Sequence, residues 1–121
     1  MRRFAASGVL LLLLLLAVNP AAAHSLLLAS SPAAGSVLTA SPPVLGLRFN
    51  NRIEKRLSRL RLVDERGDGR DLTVAADGAA DWLTAPMPAL VPGRYRVEWQ
   101  VLSTDGHVVT GRFTFTVKAT P

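Results

Sequence analysis

Several stretches of the chain alternate apolar and polar residues with a period of two, the pattern of strands buried on one face only. Tyr95, Val97, Trp99 and Val101 point one way while Arg94, Arg96, Glu98 and Gln100 point the other. Phe113, Phe115 and Val117 stand against Arg112, Thr114 and Thr116, and Leu45, Leu47 and Phe49 repeat the pattern. Shorter strands are predicted from Leu26 to Ala29, Arg59 to Asp64, Asp71 to Ala75 and Asp81 to Ala85. Turn chemistry separates them: Ser41-Pro42-Pro43, Arg66-Gly67-Asp68-Gly69 and Asp77-Gly78. About seven strands result. Only Asn50 to Leu57 has room for a helical turn, too short for a stable amphipathic helix, so the fold is predicted to be all-β.

Leu90-Val91-Pro92-Gly93-Arg94-Tyr95 leads directly into the strongest strand and resembles a tyrosine corner, in which a Tyr near the start of a strand returns its hydroxyl to upstream backbone. This favours an immunoglobulin-like antiparallel β-sandwich of Greek-key type over a small barrel. The predicted core is Leu47, Phe49, Leu60, Leu62, Trp82, Tyr95, Val97, Trp99, Phe113, Phe115 and Val117.

The first two dozen residues read differently. Met1-Arg2-Arg3 is a positive n-region, Val9 to Val18 is unbroken by a polar residue, and Ala21-Ala22-Ala23 suits signal peptidase. The apolar run is about half the ~20 residues needed to span a bilayer. Residues 1–23 are therefore read as a cleaved signal peptide of the general secretory type, and residues 24–121 as one domain with no stable membrane insertion after processing. His24 would become the first residue.

Composition narrows the chemistry. The 121 residues include no Cys, which excludes disulfides, zinc fingers and thiolate copper sites, so any metal must be held by N and O. Losing Arg2 and Arg3 lowers the formal charge from +5 to +3. Much of the remainder sits in Arg52, Lys55, Arg56, Arg59 and Arg61, either a solvated face or a surface for an acidic membrane or partner protein. Nucleic acid is not an expected partner of an exported chain.

The two histidines are His24, predicted at the processed N-terminus, and His107, in Ser103-Thr104-Asp105-Gly106-His107. A histidine freed at the N-terminus offers its α-amine and its ring nitrogen to one metal ion. If Asp105 and His107 lie on an extended segment, their i, i+2 spacing puts both side chains on one face, and Gly106 lets the backbone bend near the ion. Three nitrogens and a carboxylate oxygen suit tetragonal Cu(II), which also heads the stability order of divalent first-row metals. The expected ligands are His24, Asp105 and His107, with one Cu(II) per chain. Apart from Met1 the only methionine is Met87, expected to pack at a loop or core edge rather than to bind Cu(I). Asp-Gly is also a common turn signal, and by itself the Asp105-Gly106-His107 triplet is a weak metal motif.

Over nearly the whole mature chain, the sequence resembles the CopC copper resistance proteins. The resemblance is carried by His24, Ser31-Pro32-Ala33 with Gly35-Ser36, Leu45-Gly46-Leu47-Arg48-Phe49, and above all Leu90-Val91-Pro92-Gly93-Arg94-Tyr95-Arg96-Val97-Glu98-Trp99 running into Ser103-Thr104-Asp105-Gly106-His107-Val108-Val109-Thr110-Gly111. It implies a periplasmic β-sandwich that binds Cu(II) through the amine and ring of the first His, the Asp and the second His. These map onto His24, Asp105 and His107. It also implies a role in copper resistance, sequestration or delivery to a membrane copper importer. Two departures stand out: Asn51 replaces an acidic residue frequent in the family, and the methionine-rich loops of some relatives are absent.

Two other classes compete with a non-enzymatic binding protein. A copper oxidase or oxygenase can also use an N-terminal histidine chelate, but it needs an open coordination position that Asp105 would fill. A metal-free structural or adhesion sandwich would show no response to Cu(II).

Overall fold

The computed structural model describes residues 26–119. Eight strands follow in order: β1 (Leu27–Ser31), β2 (Val37–Leu38), β3 (Val44–Phe49), β4 (Arg59–Val63), β5 (Gly69–Leu72), β6 (Trp82–Pro86), β7 (Gly93–Leu102) and β8 (Val108–Val117). One 3-10 turn, Lys55–Leu57, falls where the sequence left room for it. The strands form a three-stranded sheet ordered β1-β3-β6 and a five-stranded sheet ordered β2-β8-β7-β4-β5. All pairings are antiparallel except β2 with β8.

The inward faces close on one core. Leu45, Leu47, Phe49, Leu83 and Ala85 come from the smaller sheet, and Leu60, Leu62, Tyr95, Val97, Val101, Phe113, Phe115 and Val117 from the larger. Each large apolar side chain buried in this way contributes about 1.5–3 kcal/mol. Tyr95 closes the far end of the sandwich: its hydroxyl donates to the Val91 carbonyl at 2.6 Å, and its ring stacks on Phe115. Burial, then the charges of Asp64 and Glu65, push its pKa up, which keeps the hydroxyl protonated and able to donate.

Among the described residues the strands are the seven expected and one more, β2, a two-residue parallel pairing with Thr116 and Val117 that is too short to carry a period. Two core expectations are corrected. Trp82 is not a core residue. Pairing of Trp82 with Arg48 turns the indole to the outer face of the smaller sheet, where it covers Gly46, and β6 buries Leu83 and Ala85 instead. Trp99 faces inward as expected but is only half-buried. It lies flat over Gly111, edge-on to Phe49 and tilted against Phe113.

Candidate metal centre

The β7–β8 connection carries the predicted chemistry. The Gly106 N–H donates to the Ser103 carbonyl at 2.9 Å, and the Ser103 N–H closes the loop onto the His107 carbonyl at 2.9 Å. Gly106 has φ of +91° with nothing within 4 Å of an added Cβ, so the backbone conformation, not space, calls for glycine here. Ser103 is 2% exposed, and its hydroxyl donates to the same His107 carbonyl at 3.2 Å. The turn is thus fastened at its base, while Asp105 and His107 stand about half-exposed at its tip.

Asp105 and His107 converge, though not for the reason the sequence suggested. The segment is a tight turn rather than extended, and the Asp105 side chain folds back on it: Oδ1 accepts from the His107 N–H at 3.2 Å. This is the Asx arrangement that favours Asp in turns. Oδ2 then lies 3.2 Å from His107 Nδ1. The His107 N–H first, and its ring second, hold the Asp105 carboxyl below the usual carboxylate range, which favours the ionised form that binds a cation. Two donor atoms that keep the about 2.0–2.2 Å usual for N and O on a divalent first-row ion, at right angles to each other, lie about 3 Å apart. The pair therefore fits two adjacent positions on one small cation. Among the described residues no group of three or more His, Cys, Asp or Glu could hold a metal, and His24 lies outside the described residues.

The irregular segment between β3 and β4 links this turn to the start of β1. At one end the Asn50 N–H donates to the Leu26 carbonyl at 3.0 Å, and Asn50 Oδ1 accepts from the Leu26 N–H at 2.7 Å. At the other end the Thr104 N–H donates to the Arg52 carbonyl at 3.4 Å, the Glu54 N–H donates to the Leu102 carbonyl at 2.9 Å, and Ile53 bridges to Ser103. Ser58 fastens the same region, donating to the Glu54 carbonyl and accepting from the Leu102 N–H. Leu26 is two residues from His24, and two residues of extended chain reach at most about 7 Å. Sequence reading noticed Asn51 and missed Asn50. The available signal was an Asn directly after a strand, a residue that readily bonds free backbone groups.

Met87 packs at the edge of the core, and its N–H donates to the Pro43 carbonyl.

Fold and turn together define a two-sheet sandwich with a His–carboxylate pair at the tip of its longest hairpin. The family model of the CopC domain matches residues 27–118, and the chain belongs to that family. It is 34% identical over 106 residues to copper resistance protein C of Pseudomonas syringae pv. tomato, covering 81% of this chain and 83% of the relative. The crystal structure of CopC from Methylosinus trichosporium OB3b is similar with a TM-score of 0.74 and 34% identity, over 81% of this chain and 97% of that one. Copper transport protein CutJ of Bacillus subtilis is 29% identical over 112 residues, which cover 90% of this chain and 21% of that longer protein.

Proposed function

We propose that this chain is an exported copper-binding protein of the bacterial periplasm that holds one Cu(II) through the α-amine and ring of His24, the Asp105 carboxylate and the His107 ring. Cleavage between Ala23 and His24 creates the amine. The observation that carries the reading is the segment from Asn50 to Glu54, bonded to Leu26 at one end and to the Asp105–His107 turn at the other. His24 is two residues from Leu26, which this segment links to the turn. The 3.2 Å contact between Asp105 and His107 supports a shared ion, and the copper resistance relatives support copper as that ion. The role is to bind and hand over the ion rather than to catalyse. A CopC-like unit within a longer copper transport protein supports delivery to a membrane copper importer.

Native mass spectrometry of the exported protein tests processing and stoichiometry together. The expected mass is that of residues 24–121, rising by one copper with one equivalent of Cu(II) at pH 7. At pH 4 the copper is expected to leave, because protons compete for the nitrogen ligands. A mature chain beginning at another residue, or no retained copper at pH 7, contradicts the reading.

A further inference from the structure

The outward face of the five-stranded sheet is dominated by arginine. Asp71, Arg61, Glu98 and Arg112 lie in one row across β5, β4, β7 and β8, and Arg59, Gln100 and Thr110 form the next row toward the Asp105–His107 turn. Arg61 is engaged, 3.6 Å from Asp71 and 3.8 Å from Glu98, and Arg96 lies 3.1 Å from Glu98. Arg59 and Arg112 are exposed, and no carboxylate among the described residues comes within 4.0 Å of either. Between them runs a groove of about 580 Å³, lined by Arg59, Arg61, Glu98, Gln100, Thr110 and Arg112. The cationic strip continues toward the metal turn through exposed Arg56 and Arg52, and the Arg52 carbonyl accepts from the Thr104 N–H beside Asp105.

We propose that this groove docks a carboxylate-rich segment of a partner protein, with the Asp105–His107 turn at the edge of the interface. Two free guanidinium groups flank the groove, and their planar forks match carboxylates bidentately, which a lysine ammonium does not. Glu98 and the exposed Asp71 also line the groove, so spaced carboxylates can enter between the negative positions, whereas a uniformly anionic bilayer plane meets repulsion there. Clustered like charge also steers an acidic partner toward the face from a distance. Docking stands independently of copper; only the idea that the partner exchanges copper rests on the function proposed above.

The test is fluorescence anisotropy of a labelled ten-glutamate peptide with the purified protein, at low and at high salt. Arg59→Glu/Arg112→Glu is expected to weaken binding at least 10-fold. Arg66→Glu/Arg70→Glu, which reverses two exposed arginines away from the groove, changes the net charge equally and is expected to cost less than 2-fold. Equal losses in both variants, or no measurable binding by the unsubstituted protein, overturn the proposal. Binding to phosphatidylglycerol vesicles that depends on Arg59 and Arg112 while the peptide does not bind also overturns it, in favour of a lipid surface. Cu(II) affinity measured on the same samples is expected to be unchanged, so a failure to bind copper separates from a failure to dock.

Discussion

His107→Ala is expected to weaken Cu(II) binding by upward of about 100-fold, beyond the 10–100-fold that loss of a supporting residue around a metal site costs, while leaving the thermal midpoint almost unchanged. The split follows from the geometry. His107 fastens the turn through its backbone carbonyl, which accepts from the Ser103 N–H and hydroxyl, and alanine keeps that carbonyl. Its ring is half-exposed and touches Asp105, an exposed pairing worth little to stability. Asp105→Asn is the informative companion: an amide oxygen can still accept from the His107 N–H, but the negative charge is gone. It should lose affinity while keeping the turn. Titration against a competing Cu(II) chelator reads both variants, and wild-type affinity in His107→Ala would remove His107 from the ligand set.

Gly111→Ala is expected to destabilise the fold by about 3 kcal/mol, at the upper end of the cost of overpacking. That corresponds to a fall in Tm of more than about 10 °C for a domain of this size. A Cβ at Gly111 would overlap the Trp99 ring at Cζ2 and Cη2 and lie 2.7 Å from Cε2. The indole cannot simply retreat, because it is edge-on to Phe49 at 6.3 Å and tilted against Phe113 at 6.1 Å between ring centroids. Trp99→Phe removes the atoms in the way. It also removes a buried indole N–H that has no acceptor among the described residues, which offsets part of the lost contact. In the Trp99→Phe background the alanine should therefore cost at least about 1 kcal/mol less, a coupling typical of residues in contact. Equal costs in the two backgrounds, measured by denaturant unfolding, would mean that the ring is not the obstacle.

The strands legible in the sequence are those buried on one face. In β7 and β8 alternation alone places Tyr95, Val97, Phe113 and Phe115 in the core, and Pro92-Gly93-Arg94-Tyr95 announces the hydroxyl bond to Val91. Trp82 shows where that reading stops. In a five-residue strand the choice of phase fell to the largest side chain, whereas pairing with β3 puts Leu83 and Ala85 inside. The link through Asn50 was invisible for another reason: it joins residues 24 apart, and it exists only once β1 has paired with β3. Asp105 and His107 were legible as a pair from spacing, but the contact comes from the side chain folding back over a turn, not from a shared strand face.

Dependence of the copper site on a free amine at His24 is tested most directly by one comparison. Cu(II) affinity and the electron paramagnetic resonance spectrum are measured for protein beginning at His24 and for protein carrying a single additional Met before it. The extra residue keeps the imidazole but turns the His24 nitrogen into an amide, so one chelate ring is lost. The extended protein is expected to bind Cu(II) far more weakly, with a spectrum reporting fewer nitrogen ligands. Equal affinity and an identical spectrum would contradict that dependence and place the copper elsewhere on the chain.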